Sequence, residues 1–383
     1  MRKDSRTLEQ KIADRNAKLD ALHEKLTGAV EQLVTGDDWR RAIQFAARFR
    51  SRSFNNTLLI WVQHSIAHAE GRVADPFPSF VAGFKQWHTL GRHVDKGQAG
   101  YQIFAPVTAR MAGRDDDPTS WHRLDRGEKP GPGEVVRSRI VGVRPTYVWP
   151  LSMTSGQDIP LPPAPQLLQG QAPDGLWDGV AKLIQAKGFR VLDAPDAAYL
   201  DGANGMTHWL KKTVHVRADM EPAARAKTLL HEAGHVLLHD RDNVDAVVHR
   251  GVAEVEAESV ALMVAAAHGM DTTDYTIPYV STWASRVQGQ DPVTTVQQTA
   301  ARVRSAALTI LDQLDTAMVT DGAPPGLDRA HSLPDRNEPA RQAGELAAGA
   351  AEATDAPSDG SVEADPRVPV GTRAASTTDG LGR

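Results

Sequence analysis

The chain has 383 residues, room for two or three domains, and is 41% hydrophobic and 24% charged. It contains no cysteine, so disulfides and thiolate metal ligands are excluded. The net charge of −5 divides unevenly: residues 1–150 carry 24 Lys+Arg against 17 Asp+Glu, residues 151–318 carry 13 against 20, and residues 319–383 carry 6 against 11. A basic front points to a polyanionic partner for residues 1–150.

Met1–Arg6 is polar with no apolar run behind it, so no secretory signal is expected. No stretch approaches the ~18 apolar residues of a membrane span, so no membrane partner is expected. Leu8, Ile12, Leu19, Leu22, Leu26 and Leu33 recur at helical steps and predict an amphipathic helix. Asp38 is placed to cap a second helix from Trp39 to about Phe49. After a turn-like stretch around Arg50–Asn56, the apolar run Thr57–Gln63 predicts a third helix. Tyr101–Phe104 and Thr146–Trp149 predict strands, and the polar stretch Arg110–Gly133 between them predicts a surface loop.

Residues 160–173 have linker composition, and a second domain is expected to start near Trp177. Thr213–Arg217 alternates as a half-buried strand does, and an extended substrate is expected to pair with it as an edge. Glu221-Pro222 opens a helix that carries His231-Glu232-Ala233-Gly234-His235. Residues 252–267 and 294–318 predict two further helices. From residue 319 the chain is rich in Ala, Gly, Pro, Asp and Ser and is expected to be disordered.

His231 and His235 are one helical turn apart, so both imidazoles can hold one metal ion. Glu232 follows directly and is placed to take a proton from a metal-activated water, the HExxH arrangement of zinc peptidases. Without cysteine, the third ligand must be a His or a carboxylate. His239 lies a turn too far along. Glu254, Glu256 and Glu258 stand in an otherwise apolar helix, where a metal offsets the expense of burying charge. Burial of the Val260/Met263 face turns Glu256 toward the HExxH helix, which makes it the expected ligand, with Glu254 and Glu258 in reserve. Tyr275, Tyr279, His249 and His215 are candidates for contacting the substrate or stabilising an oxyanion.

Several separated strings resemble one family. In the front half they are Ser53-Phe54-Asn55-Asn56-Thr57-Leu58-Leu59-Ile60, Val81-Ala82-Gly83-Phe84-Lys85-Gln86-Trp87, Leu90-Gly91-Arg92-His93-Val94-Asp95-Lys96-Gly97 and Gly100-Tyr101-Gln102-Ile103-Phe104. They resemble the N-terminal single-stranded-DNA-binding domain of ArdC-type antirestriction proteins. In the back half, the HExxH helix, Glu256-Ala257-Glu258-Ser259-Val260-Ala261 and Tyr275–Trp283 resemble the ImmA/IrrE-like metallopeptidase domain of the same proteins. The Glu-Ala string resembles the segment that supplies the third ligand in gluzincin-like peptidases. There is one departure: Met153 stands where family members often carry Gln.

The resemblance implies an α+β protein with a mixed α/β domain for single-stranded DNA over 1–159 and a linker over 160–173. A zincin-like metallopeptidase domain over 174–318 and a disordered tail over 319–383 would follow. Zn2+ would be held by His231, His235 and Glu256, with Glu232 as the catalytic base. Single-strand binders combine a basic groove with aromatic platforms. The implied DNA contacts are Arg48, Arg50, Arg52, Asn55, Asn56, Lys85, Trp87, Arg92, Lys96 and Tyr101, with Phe49, Phe54 and Phe84 as further aromatics. The implied role is protection of mobile-element DNA in the bacterial cytoplasm. The rivals are an ImmA-like regulatory protease that cleaves a protein substrate, and a DNA-binding accessory protein with structural zinc.

Overall fold

The computed structural model describes residues 7–159, 170–239, 250–271, 277–278, 280–285, 289–319, 321–325 and 327. All of them lie in one unit that spans Met1–Gln342. Most of the tail expected to be disordered, and most of the linker, fall outside the described residues, but the tail's first residues are held: Val319 donates its N–H to the Ala267 carbonyl at 2.8 Å, and Val81 donates to the Gly322 carbonyl at 2.9 Å.

Three capped helices open the chain. Thr7 and Gln10 close a capping box on α1 (Leu8–Glu31). Thr35 is the N-cap of α2 (Gly36–Arg48), and Asp38, the residue expected to be the cap, instead closes the box from the third helical position. Thr35 donates its N–H to the Asp38 carboxylate at 2.9 Å, and that bond and the Thr35 hydroxyl hold the Asp38 pKa below the usual carboxylate value. Ser53 caps α3 (Phe54–Ala69), which is longer at both ends than the apolar run alone suggests.

A four-stranded sheet follows in the order β1-β5-β3-β4. Its strands are β1 (Val81–Ala82), β3 (Tyr101–Arg114), β4 (Asp117–Arg123) and β5 (Val135–Pro150). Between β1 and β3 lie α4 (Phe84–Thr89) and β2 (Arg92–Val94), and β2 pairs with β6 (Thr154–Gly156). The stretch read as a surface loop, Arg110–Gly133, is therefore partly wrong. Its first half is strand, with Met111 paired to Arg123 and Ala112 to His122. Periodicity does not reveal a strand whose two faces are both mostly solvated, because no apolar alternation is required of it.

Near residues 101–104 the edge of β3 opposite β5 meets α3. Asn56 accepts from Phe104 N–H at 2.9 Å and donates to its carbonyl at 2.8 Å. Gln63 does the same for Gln102, at 2.9 and 3.0 Å. Two amides spaced seven residues apart on one helix face thus satisfy the strand's open backbone groups.

The back half begins with α5 (Leu176–Ala186). A three-stranded sheet follows in the order β7-β9-β8, from β7 (Arg190–Ala194), β8 (Gly205–His208) and β9 (Thr213–Arg217). β9 is central, parallel to β7 and antiparallel to β8, so Thr213–Arg217 is not the edge strand it was expected to be. The remaining helices are α6 (Pro222–Leu238), α7 (Arg250–Ala267), α8 (Val280–Ala284) and α9 (Pro292–Leu311). One hydrophobic cluster takes in Leu22 and Trp39 from the front half and Leu229, Val260 and Ile310 from the back. Trp39 reaches across and donates its indole N–H to Ser259 Oγ at 2.8 Å.

Candidate metal centre and nucleic-acid interface

The metal centre depends on how closely α6 and α7 approach. A Cβ on Gly234 would stand 2.9 Å from Ala257 Cα, so only glycine fits there without a shift. That contact brings the α7 carboxylates to the exposed turn of α6. His231 Nε2 and His235 Nε2 face each other at 3.0 Å. Glu254 Oε2 lies 3.5 Å from the first and 3.7 Å from the second. Ligand atoms of these three residues all lie within 4.8 Å of one another. Two imidazole nitrogens and a carboxylate oxygen at this spacing suit a first-row divalent ion, with metal–ligand lengths of about 2.0–2.2 Å.

The other ring nitrogens are also occupied. Glu258 Oε2 lies 3.1 Å from His231 Nδ1. His239 Nδ1 lies 3.0 Å from His235 Nδ1, and the far nitrogen of His239 meets Glu256 Oε2 at 3.0 Å. Arg302 donates from Nε to Glu256 Oε1 at 2.6 Å. Outer partners of this kind fix the tautomer and orientation of a ligating imidazole.

In this geometry the three carboxylates separate, and Glu256, the expected ligand, is not the one beside the His pair. Glu256 is 4% exposed, but it turns toward Arg302 and His239 rather than the His pair. Glu254 takes the place beside His231 and His235, and Glu258, one turn on, backs His231. Burial alone does not mark the carboxylate that stands nearest the His pair. Burial of Glu256 is offset by an arginine contributed from α9.

Burial lowers the His231 pKa, but Glu254 and Glu258, helped by the charge of Glu232, outweigh it and lift the ring to about 9. The Glu254 carboxyl is held far below its usual value by hydrogen bonds from His231 and then His235. Glu232 is 5% exposed, and Thr207 on β8 donates its hydroxyl to Glu232 Oε2 at 2.5 Å. A Cβ on Gly205 would lie 2.7 Å from Glu232 Oε1, so the bare backbone of β8 makes room for the carboxylate.

Thr207 pairs with Val214, and Met206 with His215. His215 therefore lies on the sheet face away from Glu232 and is not a candidate for the oxyanion. Tyr275, Tyr279 and His249 lie outside the described residues.

The expected DNA contacts separate into two groups. Trp87 is fully buried and donates its indole N–H to the Trp149 carbonyl at 3.0 Å. Tyr101 is 2% exposed, and its hydroxyl meets His64 Nδ1 at 3.0 Å. Arg92 clamps β2 to β6, with Nε 2.9 Å from Thr154 Oγ1 and further bonds to the carbonyls of Thr154, Gly156 and Gln157. Arg50 donates to the carbonyls of Ala47 and Val319, and Arg52 to that of Val81, each at 2.8 Å. Burial pushes the Arg52 guanidinium down to about 10. Asn56 is committed to Phe104, as above, and Phe49 and Phe54 are buried. In this arrangement these residues build the fold rather than offer a surface.

Arg48, Lys85 and Lys96 are exposed, and Asn55 is half-buried. Phe84 is 55% exposed and packs edge-on against Trp149, and Tyr147 lies 6.4 Å beyond Trp149. Tyr147 and Trp149 were read only as strand residues. Their two-residue spacing places them on one face, which could have marked them as a platform.

Comparison with known proteins gives two domain matches. Residues 17–141 match the family described as the N-terminal domain of anti-restriction factor ArdC, and residues 185–278 match the IrrE N-terminal-like domain. An uncharacterized Bacillus anthracis protein, pXO2-81, is 22% identical over 310 residues, 76% of this chain and 50% of its own length. The chain thus spans half the length of that relative. Crystal structures of the antirestriction protein ArdC from plasmid R388 are also similar. The metal-free form is 18% identical with a TM-score of 0.41 and covers 68% of this chain and 84% of its own. The Mn(II)-bound form is 17% identical with a TM-score of 0.40 and covers 68% and 87%. A match to an ArdC N-terminal domain followed, on the same chain, by a match to a zincin-like domain of the IrrE type supports an ArdC-type protein.

Proposed function

We propose that this is an antirestriction protein of a bacterial mobile element. In this reading residues 1–159 bind single-stranded DNA, and residues 174–318 form a domain that binds Zn2+ through His231, His235 and Glu254. The observation that carries it is the occurrence of both domain matches, in this order, on one chain. Support for DNA binding comes from the basic balance of residues 1–150, from the aromatic group Phe84, Trp149 and Tyr147, and from the exposed cations Lys85 and Lys96. The proposed place of action is the cytoplasm. No helix among the described residues is long and apolar enough to cross a membrane.

The donor set fits a divalent ion, and when bound such an ion supplies Lewis acidity toward water and a carbonyl oxygen. Glu254 adds negative charge beside the two imidazoles, which ligate a metal through their unprotonated nitrogens. Glu258 and His239 hold the rings by their far nitrogens. Glu232 is the proton carrier in this reading. Thr207 fixes one of its oxygens, which leaves the other to accept a proton and return it.

The second reading is a peptidase acting on a protein substrate. It is favoured by the position of β8, a sheet edge among the described residues whose Thr207 touches Glu232. Transfer of an unmethylated plasmid into a restricting host separates the two. Glu232→Gln keeps protection if DNA binding does the work and abolishes it if proteolysis does. Purified protein must also prefer a labelled single strand to a duplex of equal length, and equal or absent binding overturns the first reading.

A further inference from the structure

The outer part of the long sheet is an arm formed by β4, β3 and the first half of β5. Register places several of its residues on one face. Met111 pairs with Arg123 on one side and Arg137 on the other, while Ala109 pairs with Arg139 and Ala105 with Arg144. Alternation along β3 puts Ala105, Val107, Ala109, Met111 and Gly113 on the same side, and the four arginine partners with them, Arg139 and Arg144 being kept in phase by the extra β5 residue at the Val107/Thr108 register shift. Trp121, two residues before Arg123, shares that face.

Small residues dominate the middle strand, so the face is a trough between longer flanking side chains. At its outer end, a Cβ on Gly113 would stand 2.7 Å from Trp121 Cδ2, so the indole lies across the glycine. There it meets the next strand but one: the guanidinium carbons of Arg139 and Arg137 lie 4.6 and 5.3 Å from the Trp121 ring centroid. Arg123, Arg137 and Arg144 are exposed, and Trp121 and Arg139 are half-buried.

Acidic groups leave most of this face uncovered. Asp115, in the tip turn, pairs with Arg137 at 2.7 Å. Glu134 pairs with His122, whose partner Ala112 belongs to the opposite face. Among the described residues no carboxylate pairs with Arg123, Arg139 or Arg144. Three uncompensated guanidinium groups along a trough, with an indole in it, are complementary to a flexible polyanion that carries flat rings.

We infer that this face of the arm binds single-stranded DNA, with Arg123, Arg139 and Arg144 on phosphates and Trp121, with its flanking guanidinium planes, stacking a base. The inference rests on the single-strand reading above and adds a surface that none of the expected contact residues belongs to. It places a site on the opposite sheet face from Tyr147, because Tyr147 pairs with Gln102, out of phase with Ala105.

The test uses the full chain and a labelled single-stranded oligonucleotide, with a duplex of equal length, over a salt series. Trp121→Ala should weaken single-strand binding about tenfold or more, and Trp121→Phe should restore most of it. The triple variant R123A/R139A/R144A replaces only arm-surface cations. It should reduce the slope of log affinity against log salt by about 2, at about 0.7 per single-strand phosphate contact. If the wild type binds the single strand and the triple variant keeps both affinity and slope, the arm is not the surface, while the single-strand reading stands. If the triple variant loses only duplex binding, the arm serves a duplex and the inference is wrong. If the wild type binds no single strand at low salt, the reading and the inference fall together.

Discussion

Glu258 Oε2 lies 3.1 Å from His231 Nδ1, while the opposite nitrogen of the same ring faces His235 Nε2 at 3.0 Å. One imidazole is thus held from behind by a carboxylate and presented in front to its neighbour. Glu254 completes the front, and His239, anchored by Glu256 and Arg302, backs the second ring. The three carboxylates of α7 serve three different purposes.

That division predicts an order of effects on Zn2+ affinity, measured by titration against a competing chelator. Glu258→Gln should weaken binding about 10–100-fold, as loss of an outer partner does. Glu254→Ala should weaken it more, because a ligand is gone. Glu256→Gln should weaken it least and instead lower stability by about 1–2 kcal/mol, because the Arg302 and His239 bonds lose a charged acceptor. If Glu256→Gln abolishes metal binding while Glu254→Ala leaves it intact, the assignment of the third ligand is reversed.

Gly234 governs the spacing of the two ligand-bearing helices. Gly234→Ala places a methyl group against Ala257 Cα, a backbone atom that cannot rotate away. The expected loss is about 1–3 kcal/mol in denaturant unfolding, typical of overpacking. Metal affinity should fall as well, because His235 and Glu254 sit on opposite sides of the widened contact. An unchanged melting temperature and affinity would show that the helices approach less closely than described.

The sequence made the chemistry of the centre legible but not its assignment. His231, Glu232 and His235 are fixed by helical spacing, and the carboxylates of 254–258 stand out because an apolar helix has little other use for them. Which one stands beside the His pair depends on Arg302, nearly fifty residues later on another helix, and no local pattern reports that. The same holds for the nucleic-acid half. Trp87, Tyr101 and Arg92 look like contact residues because aromatic and basic side chains serve binding and folding alike. Their burial is set by β1, β6 and α3, which come from distant parts of the chain. The arm was hidden for the converse reason: a strand solvated on both faces carries no hydrophobic alternation.

Tyr101 and His64 test whether a buried aromatic was mistaken for a platform. Tyr101→Phe removes the donor to His64 Nδ1 and should cost about 1–2 kcal/mol while leaving single-strand affinity unchanged. A loss of affinity without a loss of stability would return Tyr101 to the DNA surface.

The same pair sets an acid-side dependence. Burial lowers the His64 pKa below its ordinary 6.5, although its bond to the Asp75 carbonyl acts the other way. Burial lowers His268 too. The unfolded chain therefore binds protons at these positions before the folded one does. Stability from this source is complete above pH 6.5 and declines as pH falls through the lower folded values. His231, lifted to about 9, acts in the opposite sense, so the check is a difference: between pH 7 and 5 the wild type should lose more melting temperature, or gain less, than His64→Asn does. An unaltered pH profile would mean that His64 is already charged in the fold.

Arg92 and the pair Lys85 and Lys96 should behave oppositely in DNA binding, although all three were expected to contact it. Arg92 is spent on Thr154, Gly156 and Gln157, so Arg92→Ala should lower stability by about 1–3 kcal/mol and leave the salt slope of binding unchanged. Lys85, which follows Phe84 in α4, and Lys96 are both exposed. Replacing both with Ala should leave the melting temperature within about 0.5 kcal/mol equivalent of the wild type, as surface changes do. It should also reduce the salt slope by about 1.4, two single-strand phosphate contacts. A slope that changes for Arg92→Ala but not for the lysine pair would place the DNA against β2 and β6 and away from α4.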